Sequence, residues 1–209
     1  MKAHTKETQA ALTPEKALLL LKEGNARFQN NLKANRNLLE QVKDTSNGQY
    51  PHATILSCID SRVSSELIFD QGIGDIFSVR VAGNFVNEDI LGSMEFACKL
   101  AGTKLIVILG HTACGAIKGA CDHARLGNLT ALIKKIEPAV AAVINPQSEA
   151  SRNSGNIDFV NEVAAKNVLM TIDNIRAKSE VLAEMEQKGE IKIIGGMYDI
   201  STGIVNFYK

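Results

Sequence analysis

The stretch KLIVILGHTACG, residues 104–115, decides how this chain folds. Its apolar run at 104–109 reads as a buried strand, and the turn after Gly110 opens into a helix from Gly115. The unit is strand, turn, helix, and the same alternation recurs on either side of it. Upstream, Ala53–Ser57 is a second short apolar run of the buried-strand type. It is followed by a helix near 64–70, a strand at 76–81 and a helix over 88–101. Strands separated by helices imply parallel pairing with crossover connections.

Downstream, the pattern predicts a helix at 129–144 and a polar Ser/Asn-rich loop at 147–156. Val160, Val163, Ala164, Val168, Ile172 and Ile175 then recur at helical spacing and mark an amphipathic helix. A strand at 191–194, a tight turn at Gly195-Gly196 and a last strand at 204–207 close the chain. At the other end, Thr13 and Pro14 read as the N-cap and first position of a helix running through Phe28. Residues 32–50 are polar, contain an Asn-Gly pair and read as a connection into the first strand. The expected fold is α/β: a mostly parallel sheet with crossover helices, one domain over 1–209, with 1–35 as an N-terminal helical arm.

A chain of 209 residues, 45% of them hydrophobic, can bury one sizeable core. Its 23 basic and 23 acidic residues cancel, so there is no electrostatic footprint for nucleic acid or an anionic membrane. The longest apolar stretches, 105–109 and 139–144, fall far short of the roughly 20 residues a spanning helix needs. A soluble protein is expected. The first 12 residues are polar and lack the apolar segment of a secretory signal, which points to the cytoplasm and leaves a processed periplasmic form open. Four cysteines, irregularly spaced, are too few for a disulfide scaffold and read as reduced thiols, some of them metal ligands.

Two short segments carry the chemistry. Cys58-Ile59-Asp60-Ser61-Arg62 follows the first strand, and period-two alternation in extended chain would turn Cys58, Asp60 and Arg62 to one side. His111-Thr112-Ala113-Cys114 follows the strand at 104–109, and a three-residue separation within a helical turn would bring His111 and Cys114 together. Both lie at carboxyl ends of strands, where parallel sheets bind their ligands. Two thiolates and an imidazole suit zinc, and three protein ligands with a fourth position open is the catalytic rather than the structural pattern. Asp60 either closes that position or pairs with Arg62 and leaves it to water; the planar guanidinium favours the second arrangement. Cys98 and Cys121, within apolar helices, read as core fillers.

Cys58-Ile59-Asp60-Ser61-Arg62-Val63 together with His111-Thr112-Ala113-Cys114-Gly115 resembles the signature of the β-class carbonic anhydrases, and the resemblance covers roughly residues 14–208. It implies one zinc per chain on Cys58, His111 and Cys114, an Asp60-Arg62 dyad beside it, and hydration of carbon dioxide to bicarbonate by zinc-bound hydroxide. Gln49 matches a glutamine that lines the substrate pocket in plant-type members. Phe77 and Phe96 fall where those members have a phenylalanine and a tyrosine, so the tyrosine hydroxyl is missing here. The helix around Gly24-Asn25-Ala26-Arg27-Phe28 resembles one that packs across a partner subunit, and a homodimer or homotetramer is implied. Two thiolates put more negative charge on the metal than imidazoles would, so a site working best above neutral pH is expected. No proton shuttle stands out; His52 and His123 are candidates only because imidazole titrates near neutrality.

Three other readings compete. A related zinc hydrolase acting on carbon disulfide or carbonyl sulfide would share the metal site, and Gln49 weighs toward the oxygen-rich product. A non-catalytic zinc-binding module would usually close its site with four Cys or His. A dithiol redox protein would be expected to carry Cys-x-x-Cys, which is absent from the sequence.

Overall fold

The computed structural model describes residues 1–208. Thr5 caps α1 (Lys6–Ala10) in a reciprocal capping box with Thr8. Thr13 caps α2 (Pro14–Gln29), accepting from the Lys16 N–H with Pro14 at the first helical position, as the sequence predicts. The predicted connection at 32–50 holds a further helix, α3 (Leu38–Asp44), capped by Asn37. It escapes a hydrophobicity reading because its buried residue is Gln41, while Leu38, Leu39 and Val42 face outward.

Next come β1 (Ala53–Ser57), a single helical turn α4 (Ser65–Ile68), β2 (Ile76–Arg80) and α5 (Glu88–Glu95), the last continuing as one π turn over Phe96–Leu100. After β3 (Leu105–His111) the chain forms α6 (Gly115–Cys121), α7 (Leu129–Ala142) and the long α8 (Ile157–Lys178). A short helix α9 (Glu180–Gln187), capped by Ser179, precedes β4 (Lys192–Tyr198) and β5 (Val205–Phe207).

The five strands form one sheet in the order β2-β1-β3-β4-β5; the first four are parallel and β5 runs antiparallel at the edge. Every residue of β1 and β3 is buried, as strands covered on both faces must be. On one face Val168, Ile172 and Ile175 of α8 pack with Ile106, Ile108 and Ile193. On the other, Ala17 and Leu21 of α2 pack with Ile55, Leu105, Val107 and Tyr198 of the same chain. Burying each such side chain contributes about 1.5–3 kcal/mol, so the strand order is held by packing as much as by its ladder. The connection from β1 leads outward to β2, then returns across β1 to β3, so the connections move toward opposite edges of the sheet on either side of the β1–β3 boundary. Crevices open at that switch point, outside the carboxyl ends of the two strands.

The turn predicted at Gly195-Gly196 is absent. Both glycines lie inside β4, paired with Ile108 and Leu109, and the strand runs on to Tyr198. Close packing is the reason: a Cβ on Gly195 would stand 2.6 Å from Val168 Cγ1 and 2.7 Å from Tyr208 Cδ2. The reversal comes later, where Gly203, at φ +78, donates its N–H to Asp199 O. Among the described residues no helix is long and apolar enough to cross a membrane.

Candidate metal centre

Cys58 stands one residue past β1, His111 is the last residue of β3, and Cys114 caps α6. Parallel pairing of β1 with β3 therefore brings together residues 53 positions apart in the chain (58 to 111). The two sulfurs and a ring nitrogen lie within 4.8 Å of one another, and all three residues are buried. The cysteines are free thiols, with their sulfurs 3.9 Å apart.

The local geometry differs from the predicted one in two respects. His111 and Cys114 share no helical turn: they bracket Ala113, whose φ of +53 bends the chain sharply. That uncommon conformation in a non-glycine residue is held by Asn161 of α8, whose Oδ1 accepts the Ala113 N–H at 2.8 Å. Thr112 ties the same bend to the end of β4, donating to Tyr198 O and accepting from Ile200 N. Likewise Arg62 is not carried on extended chain. The backbone turns at Asp60, with Val63 N–H bonded to Asp60 O, and the guanidinium reaches back.

The imidazole is pre-set. His111 Nδ1 is 2.9 Å from Thr112 O, and since a carbonyl only accepts, Nδ1 carries the proton. This leaves the Nε2 lone pair buried and without a protein partner. An orphaned acceptor beside two thiols is a costly arrangement unless a cation occupies the space between them. The soft donor set and the open fourth position fit zinc.

Charge in the sulfur pair is shared. Cys58 is shifted down because Cys114 donates to it, with the Gly83 N–H adding to the effect against the cost of burial. Cys114 is shifted up for the converse reason, and by its own burial. A bound cation would let both ionise. Cys98 and Cys121, each pushed up to about 11 by burial, stay protonated and belong to the core.

Asp60 Oδ2 lies 3.9 Å from His111 Nε2. Arg62 grips the carboxylate in bidentate fashion, Nε to Oδ1 at 2.9 Å and Nη2 to Oδ2 at 2.7 Å, and its backbone N–H adds a third bond at 3.0 Å. These bonds, the guanidinium's first among them, hold the carboxyl well below the usual range. Asp60 is therefore an acceptor at any working pH.

Sequence reasoning missed Arg80, the last residue of β2, whose Nε donates to Cys58 O at 3.0 Å and whose Nη2 donates to Asp60 O at 2.7 Å. It also missed Gly83, with its N–H 3.5 Å from Cys58 Sγ, and Asn161 and Asn167 on α8. The asparagines had one signal, polar side chains within an apolar helical stripe; Arg80 had none.

Phe77 and Phe96 meet edge to face with ring centres 6.2 Å apart and line one open cleft with Arg80, Asp89 and Ser93. Gln49 is exposed on the connection between α3 and β1, with no hydrogen bond to the centre among the described residues. His52 is sealed in the interior with both ring nitrogens unpartnered, and burial, then the neighbouring His4, lowers its pKa to about 3. His123 is exposed, beside Glu137.

A buried three-ligand centre at the switch point of a parallel sheet, with an acceptor-only carboxylate alongside, is the layout of a mononuclear metalloenzyme. The sequence pattern of the carbonic anhydrase family matches residues 53–205. A carbonic anhydrase of Mycobacterium tuberculosis is 33% identical over 91% of this chain and 90% of its own length. One of Mycolicibacterium smegmatis is 32% identical over 92% of each. Among solved structures, the β-carbonic anhydrase CafA of Aspergillus fumigatus superposes with a TM-score of 0.72 at 26% identity, over 93% of this chain and 90% of that one. The chain belongs to the carbonic anhydrase family, in its β class, and is an enzyme of that family.

Proposed function

We propose that this enzyme hydrates carbon dioxide reversibly to bicarbonate and a proton, using one zinc ion per chain held by Cys58, His111 and Cys114. The observation that carries the reading is the trio itself: three buried donor atoms within 4.8 Å, one of them a lone pair with no protein partner. Zinc bound there would act as a Lewis acid and acidify a coordinated water, the role for which three-histidine carbonic anhydrases are the familiar example.

The chain's own residues do the rest. Asp60, locked by Arg62, offers Oδ2 as an acceptor beside His111 Nε2 and orients the attacking water toward its target. The clamp also restrains the carboxylate from swinging in as a fourth ligand. Arg80 fixes the two carbonyls that flank Ile59, so Cys58 and Asp60 keep their relative position. Phe77 and Phe96 give the apolar substrate a wall. Gln49 is assigned to donate to a substrate oxygen as it gains charge, reaching the pocket of a second subunit.

Assembly into a dimer or tetramer is part of the proposal. Leu32, Leu38 and Leu67 line one groove with Phe28, and all three are more than half exposed. Light scattering of the purified protein tests the assembly. Zinc content measured alongside stopped-flow hydration tests the reaction. About one zinc per chain with rapid hydration is expected; a metal-free protein, or a loaded one that hydrates no faster than buffer, would sink the reading.

A further inference from the structure

The Gly83 carbonyl accepts a hydrogen bond from a buried side chain of α8. Asn167 of α8, 3% exposed, donates from Nδ2 to Gly83 O at 2.8 Å. Gly83 is the third residue of a turn closed by the bond from Asn84 N to Val81 O at 3.0 Å, and its φ is +79. A positive φ at that position marks a type II turn, whose central peptide is flipped relative to type I. The flip matters because the central N–H is that of Gly83, and it points at Cys58 Sγ, 3.5 Å away. Any larger residue would be strained by that φ and would also drive a Cβ to 2.4 Å from Ile136 Cδ1.

We propose that Asn167 is a positioning residue for the metal ligand Cys58, acting through the backbone of Gly83; the inference rests on the zinc reading above. By anchoring the carbonyl on the far side of Gly83, Asn167 fixes where the third residue of the turn sits and so holds the Gly83 N–H on the sulfur. An N–H···S bond draws charge from a thiolate and aims its remaining lone pairs, so the turn sets both the orientation of the ligand and its donor strength. Thr171, one helical turn further along α8, supports the same loop by donating to Asn84 O at 3.3 Å. Asn161 does the equivalent for the bend before Cys114. One face of α8 thus holds both stretches of backbone that present the ligating sulfurs.

The test compares the unaltered protein with Asn167→Asp, which keeps the shape and removes the donor, and with Asn167→Leu. Ile175→Val, a core truncation on the same helix, serves as a control for stability alone. Zinc affinity is measured by chelator competition, and the cobalt-substituted proteins report the sulfur-to-metal charge-transfer band. In the folded Asn167 variants zinc affinity should fall about tenfold or more, the range typical of groups that orient metal ligands. The band should move to longer wavelength, while Ile175→Val changes neither. A folded Asn167 variant that keeps its affinity within about twofold, with the band unmoved, overturns the proposal.

A measurement on the unaltered protein covers the case in which neither variant folds. Loaded with cadmium-113, it should show scalar coupling between the metal and the Gly83 amide proton through the sulfur. Absence of that coupling also overturns the proposal. If the unaltered chain takes up none of the three ions, the metal centre itself is refuted, an outcome distinct from bound metal with no effect of Asn167.

Discussion

Replacing His52 with leucine should remove a defined part of this protein's sensitivity to acid. His52 is 1% exposed, neither ring nitrogen has a partner, and its pKa is lowered from 6.5 to about 3, chiefly by burial. A group whose folded pKa is depressed contributes stability that is fully present above its unfolded pKa, here 6.5, and is lost as pH falls toward the folded value. Each pH unit through that window costs about 1.4 kcal/mol, so at pH 5 the loss is roughly 2 kcal/mol and by pH 3 it approaches 5. Set against a total stability of about 5–15 kcal/mol, the first of these is already measurable. The imidazole makes no hydrogen bond, so leucine of similar volume should change little at pH 7. Urea titrations of both proteins at pH 7 and pH 5, at one protein concentration, give the double difference. The proposed metal ligands are the same in both, so their own pH dependence cancels. The variant should be about 2 kcal/mol less affected by the drop in pH. Equal losses in the two proteins would mean that His52 is solvated in the folded state and that its burial is not the cause.

Other outcomes follow from the centre and its supports. Asp60→Asn should retain zinc while hydration falls by about 10²–10⁴-fold, the usual contribution of a positioned acid–base group; metal content and stopped-flow rates read the two effects separately. Arg80→Gln should leave the Cys58 and Asp60 carbonyls without their shared donor and cost about 2–3 kcal/mol in transition-state stabilisation, seen as a drop in kcat/KM with the fold intact by circular dichroism. Gly195→Ala should lower the melting temperature, because its methyl meets Val168 at 2.6 Å and overpacking of this kind costs about 1–3 kcal/mol. Hydration should rise with pH through and above neutrality, since two thiolates donate more charge than imidazoles and Asp60, already ionised, adds no acid-side step. A profile flat from well below neutral pH upward would contradict this.

The residues of the candidate centre were legible because each announces itself by type and local spacing. Cysteine, histidine, aspartate and arginine at strand ends are informative on their own, and the strands showed themselves as apolar runs whose neighbours are near in sequence. Short helices were not legible where their burial is polar or their length is one or two turns: α3 buries Gln41, and α1 rests on a Thr5–Thr8 capping box. Gly195-Gly196 misled because a glycine needed for close approach and a glycine needed for a turn look the same in one dimension. Only the position of Val168 on α8 separates the two.

What the sequence determined by itself is therefore the inventory: an α/β alternation, a donor set of two thiols and an imidazole, and a carboxylate with its own guanidinium two residues on. The tertiary structure decided how those parts are aimed. Pairing of β1 with β3 closes a gap of 53 residues to 4.8 Å, Arg80 arrives from a third strand, and α8 brings Asn161 and Asn167 to the two sharp bends beside the sulfurs. Local pattern is set by interactions among near neighbours along the chain, whereas the orientation of a metal ligand depends on groups brought to it only when crossover connections fold distant segments together.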